Sequence, residues 1–95
     1  MAKYKLSNTA KEDLIRIHQY GAMQFGLKQA DKYFDSFFTY FENIAQRPYS
    51  YEAVDSIRPG YRRCVCGSDC IYYLIKDEVV EIIAIIGSQD IEKIL

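Results

Sequence analysis

"YRRCVCGSDCIYYLIKDEVVEIIAII", residues 61–86, decides the fold. Three runs rich in β-branched and aromatic residues are separated by two short polar breaks, the pattern of consecutive antiparallel strands. The spacing predicts strands over Tyr61–Cys66, Cys70–Ile75 and Val79–Ile86. Gly67-Ser68-Asp69 and Lys76-Asp77-Glu78 are connections of hairpin length. The last run, "VVEIIAII", is nearly all apolar, which predicts a central strand buried on both faces over most of its length.

Upstream the period changes. Ala30, Tyr33, Phe34, Phe37, Phe38, Phe41, Ile44 and Ala45 form one stripe of period 3.6, while Asp31, Lys32, Asp35, Glu42 and Asn43 fall outside it. Pro48 ends this helix by pushing the preceding residue out of the helical region. A first helix is expected over Asn8–Phe25. Ser7 is its N-cap, Glu12 and Asp13 sit near the positive end of its dipole, and Leu14, Ile17, Gly21 and Phe25 form its apolar face. Gly26 closes it. With only Leu27 and its neighbours between them, the helices should form a tight antiparallel hairpin. "KYKL" reads as a short strand, Lys3–Leu6. "RPYSYEAVDSIRPGY" reads as a loop held by Pro48, Pro59 and Gly60, and "GSQDIEKIL" as a short tail with one helical turn. The order is β-α-α-β-β-β: a single α+β domain over residues 1–95, with a helical hairpin on one face of an antiparallel sheet.

A net charge of −1 argues against a nucleic-acid binder that works by bulk electrostatics. No apolar run approaches the roughly 18 residues of a membrane span, and "MAKYKLSNTAKED" is too polar for a secretory signal. Three cysteines, an odd number, suit a reducing compartment better than a disulfide scaffold. The expectation is a soluble cytoplasmic protein. Nine tyrosines are many for this length, and Tyr is enriched at interfaces.

All three cysteines lie between residues 64 and 70. The spacing C-x-C-x₃-C is not a zinc pattern, and the only histidine, His18, is on a distant helix. Cys66 and Cys70 flank a turn, which permits a labile disulfide; the plainer reading is that Cys64, Cys66 and Cys70 are small apolar strand residues. Arg58, Arg62 and Arg63 cluster at the entry to the sheet. They fit bidentate contacts to a partner or to phosphate, or else an internal salt bridge to Asp55 or Glu81. His18 lacks a nucleophile or orienting partner in the pattern and reads as structural. Glu12-Asp13 reads as a capping pair. There is no Gly-rich phosphate loop, GxSxG or HExxH.

The segments "YKLSNTAKEDLIRIHQYGAMQFG", "QADKYFDSFFTYFENIAQRP", "IRPGYR", "GSDCIYYLIKDEVVEIIAII" and "GSQDIEKIL" together resemble the ParE family of bacterial toxins, within the RelE/ParE superfamily. The resemblance spans nearly the whole chain, and it is the order and spacing of the segments that make it specific. It implies the toxin of a type II toxin–antitoxin pair that inhibits DNA gyrase through the A subunit. It also implies neutralisation by a ParD-like antitoxin in a hetero-oligomer, with no cofactor, no metal, no membrane and no sequence-specific nucleic-acid binding by the toxin alone. The target contacts expected on this view are Arg58, Arg62, Arg63, Gln89 and Lys93. Antitoxin contacts are expected in the groove between the helical hairpin and the sheet, at Tyr40, Tyr72 and Tyr73. The sister branch of RelE-like mRNA interferases places His, Arg or Tyr late in the chain for acid–base chemistry. Here none of these follows Tyr73, so a non-enzymatic toxin is expected. An interferase with an unusual site and a decayed toxin kept as an antitoxin-binding module are the alternatives. Many ParE members carry "HGRMD" where this chain has Ile86-Gly87-Ser88-Gln89-Asp90. Gly87 and Asp90 match, whereas Ile86 and Ser88 replace the His and Arg.

Overall fold

A computed structural model describes residues 3–87. The elements are β1 (Tyr4–Leu6), α1 (Asn8–Phe25), α2 (Leu27–Gln46), a 3₁₀ turn (Pro48–Ser50), β2 (Glu52–Ala53), β3 (Arg62–Cys66), β4 (Asp69–Lys76) and β5 (Val79–Gly87). The expected tail helix lies outside the described residues. The α+β order and the helical hairpin are as the sequence implies. β1 pairs with β5 in parallel and every other pair is antiparallel, so the sheet is mixed, in the order β1-β5-β4-β3-β2.

Ser7 starts α1 in three ways at once. Its Oγ accepts the Ala10 amide at 3.0 Å, its hydroxyl donates to the Ile83 carbonyl at 2.7 Å, and its amide donates to the Ile82 carbonyl at 3.0 Å. No acidic residue stands in the first turn of α1, so Glu12 and Asp13 do not serve the dipole there. Gly26, at φ +91°, ends α1 and begins α2 in a single residue. Just inside this link Gly21 passes close to α2, where an added Cβ would lie 3.4 Å from that of Ala30.

Both hairpin turns have two central residues. Gly67 has φ +60° and Ser68 does not turn positive, so only the first position takes the left-handed region. At the second turn Asp77 (φ +53°) and Glu78 (φ +64°) both do, the backbone of a type I′ turn without its usual glycine. β5 is an interior strand, as "VVEIIAII" implies. Its alternation slips at a bulge: Tyr72 pairs with Ala84 but Tyr73 with Ile82, leaving Ile83 extra. Val80, Ile82 and Ile85 consequently face the helices, whereas Ile83, Ala84 and Ile86 face the other side.

Each face of the sheet has its own core. Under the helices, Leu14, Ile17, Phe37, Phe41 and Ile44 meet Cys64, Cys66, Ile71, Tyr73 and Ile85. On the opposite face, Val54, Ile57 and Tyr61 fold over Cys70, Tyr72, Ala84 and Ile86. Phe25, expected in the core, is instead 71% exposed, because a cleft opens beside the tip of the helical hairpin.

Candidate functional site

The "IRPGYR" segment is first of all a turn. The Tyr61 amide donates to the Arg58 carbonyl at 3.1 Å across Pro59 and Gly60, and Gly60 has φ +83°. Proline at the second position and a left-handed glycine at the third specify a type II turn. The Asp55 carboxylate accepts the Gly60 amide at 2.7 Å and so braces the turn. The turn sets Ile57 and Tyr61 on the sheet and leaves Arg58 on the surface.

Arg62 and Arg63 then point to opposite faces. The Arg62 guanidinium donates to the Tyr51 carbonyl at 2.7 Å and lies 5.1 Å over the Tyr49 ring. Tyr73 donates its hydroxyl to the Pro48 carbonyl at 2.6 Å, so Arg62 and Tyr73 together tie down residues 48–51. Arg63 forms a two-pronged ion pair with Glu52, with contacts of 3.0 Å from Nη2 to each carboxylate oxygen. The Tyr72 hydroxyl, and after it Glu52, hold the Arg63 guanidinium protonated above its usual range. That buried hydroxyl nevertheless makes no hydrogen bond of good geometry. The acidic partner of Arg63 is thus Glu52, not Asp55 or Glu81; Glu81 pairs with Lys5 at 3.5 Å. The structure does not gather Arg62 and Arg63 into one target-binding cluster. Gln89 and Lys93 lie outside the described residues.

The cysteine pair is corrected as well. Cys66 lies under the helices and Cys70 on the opposite face, with Cys66 across from Asp69 and Cys70 across from Val65. They do not face each other, and all three thiols are free and buried. Burial pushes the Cys64 thiol up to about 11 and that of Cys66 to about 12. Among the described residues no group of His, Cys, Asp or Glu converges as a metal site. His18 bridges the helices, its Nε2 2.7 Å from an Asp31 oxygen and its ring edge-on to Phe34.

Of the expected antitoxin contacts, Tyr72 and Tyr73 are both fully buried, on opposite faces of the sheet, and present no surface to a partner. Tyr40 is half-buried against Cys66, whose proximity is the leading cause of its raised pKa. A cleft of about 560 Å³ runs between the helical hairpin and the β3–β4 turn, walled by Arg16, Tyr20, Phe25, Tyr33 and Asp69, with Gly87 at its end. Tyr33 lines it, its one hydroxyl proton shared between the Cys66 carbonyl at 3.0 Å and the Asp69 carboxylate at 2.9 Å. Burial, reinforced by the Asp69 carboxylate, raises its pKa and keeps it a donor. Tyr20, Met23, Phe25 and Leu27 stand 61–84% exposed at or near the rim. Sequence reasoning missed this surface because Phe25 fitted the helical stripe; the signal available was the run of large apolar residues on both sides of Gly26.

The family model described as ParE toxin of type II toxin-antitoxin system, parDE, matches residues 4–92. The chain is similar to Toxin ParE1 of Caulobacter vibrioides, with 36% identity over 75 residues, covering 79% of this chain and 78% of that protein. It is similar to Toxin ParE1 of Mycobacterium tuberculosis, with 31% identity over 77 residues, covering 81% and 79%. In fold it resembles a solved chain of the chromosomal ParDE TA system from P. aeruginosa. That likeness has a TM-score of 0.81 at 19% identity and covers 92% of this chain and 96% of the other.

Proposed function

This chain belongs to the ParE toxin family of type II toxin–antitoxin systems, and we propose that it arrests growth by binding DNA gyrase through the A subunit. It is the toxin of such a pair, and an antitoxin is its partner. The target and the mode of action are the proposal.

The observation that carries a binding rather than a catalytic mode is how the charges of the sheet are used. Acid–base catalysis of RNA cleavage needs a base and an electrophile poised together toward solvent. Here Arg63 is closed on Glu52, Lys5 on Glu81, and Arg62 on the Tyr51 carbonyl. Residues 54–61 cover the sheet face opposite the helices. No helix among the described residues is long and apolar enough to cross a membrane, which is compatible with action on a cytoplasmic target.

The antitoxin, ParD-like in this reading, occupies the cleft beside the helical hairpin and covers Tyr20, Met23, Phe25 and Leu27. Exposed apolar side chains around a concave site are what an amphipathic segment buries. Purified chain should inhibit supercoiling by gyrase, and antitoxin should reverse this. Unaltered supercoiling alongside cleaved ribosome-bound mRNA would replace the proposal with an interferase.

A further inference from the structure

Residues 54–61 leave the sheet and return to it at one neck, the Ala53–Arg62 pair of β2 and β3. Between those points the loop is bonded to itself. The Val54 amide donates to the Tyr61 carbonyl at 2.8 Å, the Ile57 amide to the Val54 carbonyl at 2.9 Å, and the Gly60 amide to Asp55 at 2.7 Å. Val54, Ile57 and Tyr61 seat it on the sheet face opposite the helices, while its other residues are exposed. A compact loop closed on itself and held by a few side chains can swing about its neck without unravelling.

What it covers favours opening. Glu52, Arg63, Tyr72 and Ala84 stand in one row across the sheet, and Cys70 lies in the next row between Val65 and Ile86. The buried Tyr72 hydroxyl makes no hydrogen bond of good geometry among the described residues. Closing the loop over it costs a desolvation that water repays on opening. Val65, across from Cys70, is 63% exposed, so the cover stops beside that thiol. Cys64 and Cys66 lie on the other face, where exposure requires the helical hairpin to leave the sheet. Burial raises the pKa of Cys70 and keeps it a thiol while the loop is closed; the Arg63 guanidinium, next in weight, favours the thiolate once burial is relieved.

We propose that residues 54–61 are a lid that opens as one unit, and that Cys70 beneath it is a site of thiol–disulfide exchange with a low-molecular-weight disulfide. The Cys70 thiolate attacks one sulfur of that disulfide, whose S–S bond breaks as the new one forms. The departing thiolate takes up the proton that Cys70 released. Cys70 is 3% exposed beneath the closed loop, so the bulky adduct holds the lid open.

The test treats the folded full-length chain with oxidised glutathione and follows each cysteine by digestion and mass spectrometry. Cys70 should react slowly, about a hundredfold below its rate in the urea-unfolded chain, yet at least about tenfold faster than Cys64 or Cys66. Ile57→Ala loosens the seat and should speed Cys70 about tenfold with the other two unchanged. Tyr72→Phe removes the stranded hydroxyl and should slow Cys70 about tenfold, a sign that general destabilisation would not produce. Where Ile57→Ala does not fold, Tyr72→Phe carries the same test in the opposite direction. In the Cys70 adduct the Val54 amide, bonded within the lid, should exchange as slowly as before. Cys70 no faster than Cys64 and Cys66, all three accelerated alike in folded Ile57→Ala, or a Cys70 rate that does not fall in Tyr72→Phe overturns the proposal. A Val54 amide that exchanges freely in the adduct overturns opening as one unit.

Discussion

Arg62 separates two accounts of this surface. As a target contact, it should be dispensable for folding and essential for toxicity; as a brace, the reverse. The Arg62→Ala change removes the 2.7 Å bond to the Tyr51 carbonyl and the stacking over Tyr49. A hydrogen bond from a charged donor contributes about 1.5–3 kcal/mol, and a cation–π contact at an exposed site about 0.5–1 kcal/mol. The 3.5 Å approach to the Tyr49 carbonyl is too long to add much. Tyr49 is 71% exposed, so water recovers part of what is lost there. The expected cost is therefore about 2–3 kcal/mol. For a domain of this size that lowers Tm by roughly 10–20 °C. Arg62→Lys keeps one donor but not the planar stack, and should lose about half as much. Thermal and urea unfolding of the free chain give the numbers, and the antitoxin complex gives a parallel reading. If Arg62→Ala melts within about 2 °C of the wild type yet no longer arrests growth, the brace is wrong and Arg62 is a target contact.

Two further outcomes follow from the packing. Gly67→Ala places a Cβ 2.9 Å from the Tyr33 hydroxyl in a left-handed backbone, and should cost about 2–3 kcal/mol from the strained φ and the displaced Tyr33 bonds. In a Tyr33→Phe background the same change should cost about 1 kcal/mol less, so strict additivity in urea unfolding would refute the link. The buried thiols set the alkaline limit. In the native state Cys64 ionises near 11 and Cys66 near 12, against an ordinary value of 9.0. Their contribution is complete below about pH 9 and lost as pH rises toward 11–12, because unfolded thiols ionise first. The slope is at most about 1.4 kcal/mol per pH unit for each thiol, and Cys66→Ala should flatten it. Rapid alkylation of the native protein at pH 8 would contradict the burial.

The helical hairpin was legible because its signals are local: a 3.6-residue stripe, the Ser7 cap and the single glycine at 26. Strand limits came within a residue because Gly67 and the residue pair 77–78 mark the turns. What escaped depends on partners far along the chain. β2 is two residues with no pattern of its own, and it exists because Glu52 and Ala53 pair with Arg63 and Arg62. Tyr72 and Tyr73 were both expected at the groove between the helical hairpin and the sheet. Residues 54–61 cover the second face, so both are buried and neither presents a surface in this structure. The arginines misled for a related reason. A sequence displays acidic side chains as potential partners, but Arg62 is satisfied by a backbone carbonyl, and every residue carries one of those.

Asp13 extends that argument to the edge of β5. Its partner is the amide of Ile85, a bond spanning 72 residues that no motif announces. Once such bonds are counted, the charges that attracted attention at the entry to the sheet are largely consumed in holding it together. Large apolar side chains also stand exposed, among them Tyr20 and Phe25 in the wall of a cleft that Tyr33 and Asp69, joined at 2.9 Å, line as well. A small domain exposing large side chains on a concave rim gains stability when a partner covers them, in proportion to the area removed from water. On the proposed reading the covering partner binds where the fold leaves apolar surface open, while Arg62 and Arg63 make their contacts within the fold, to the Tyr51 carbonyl and to Glu52.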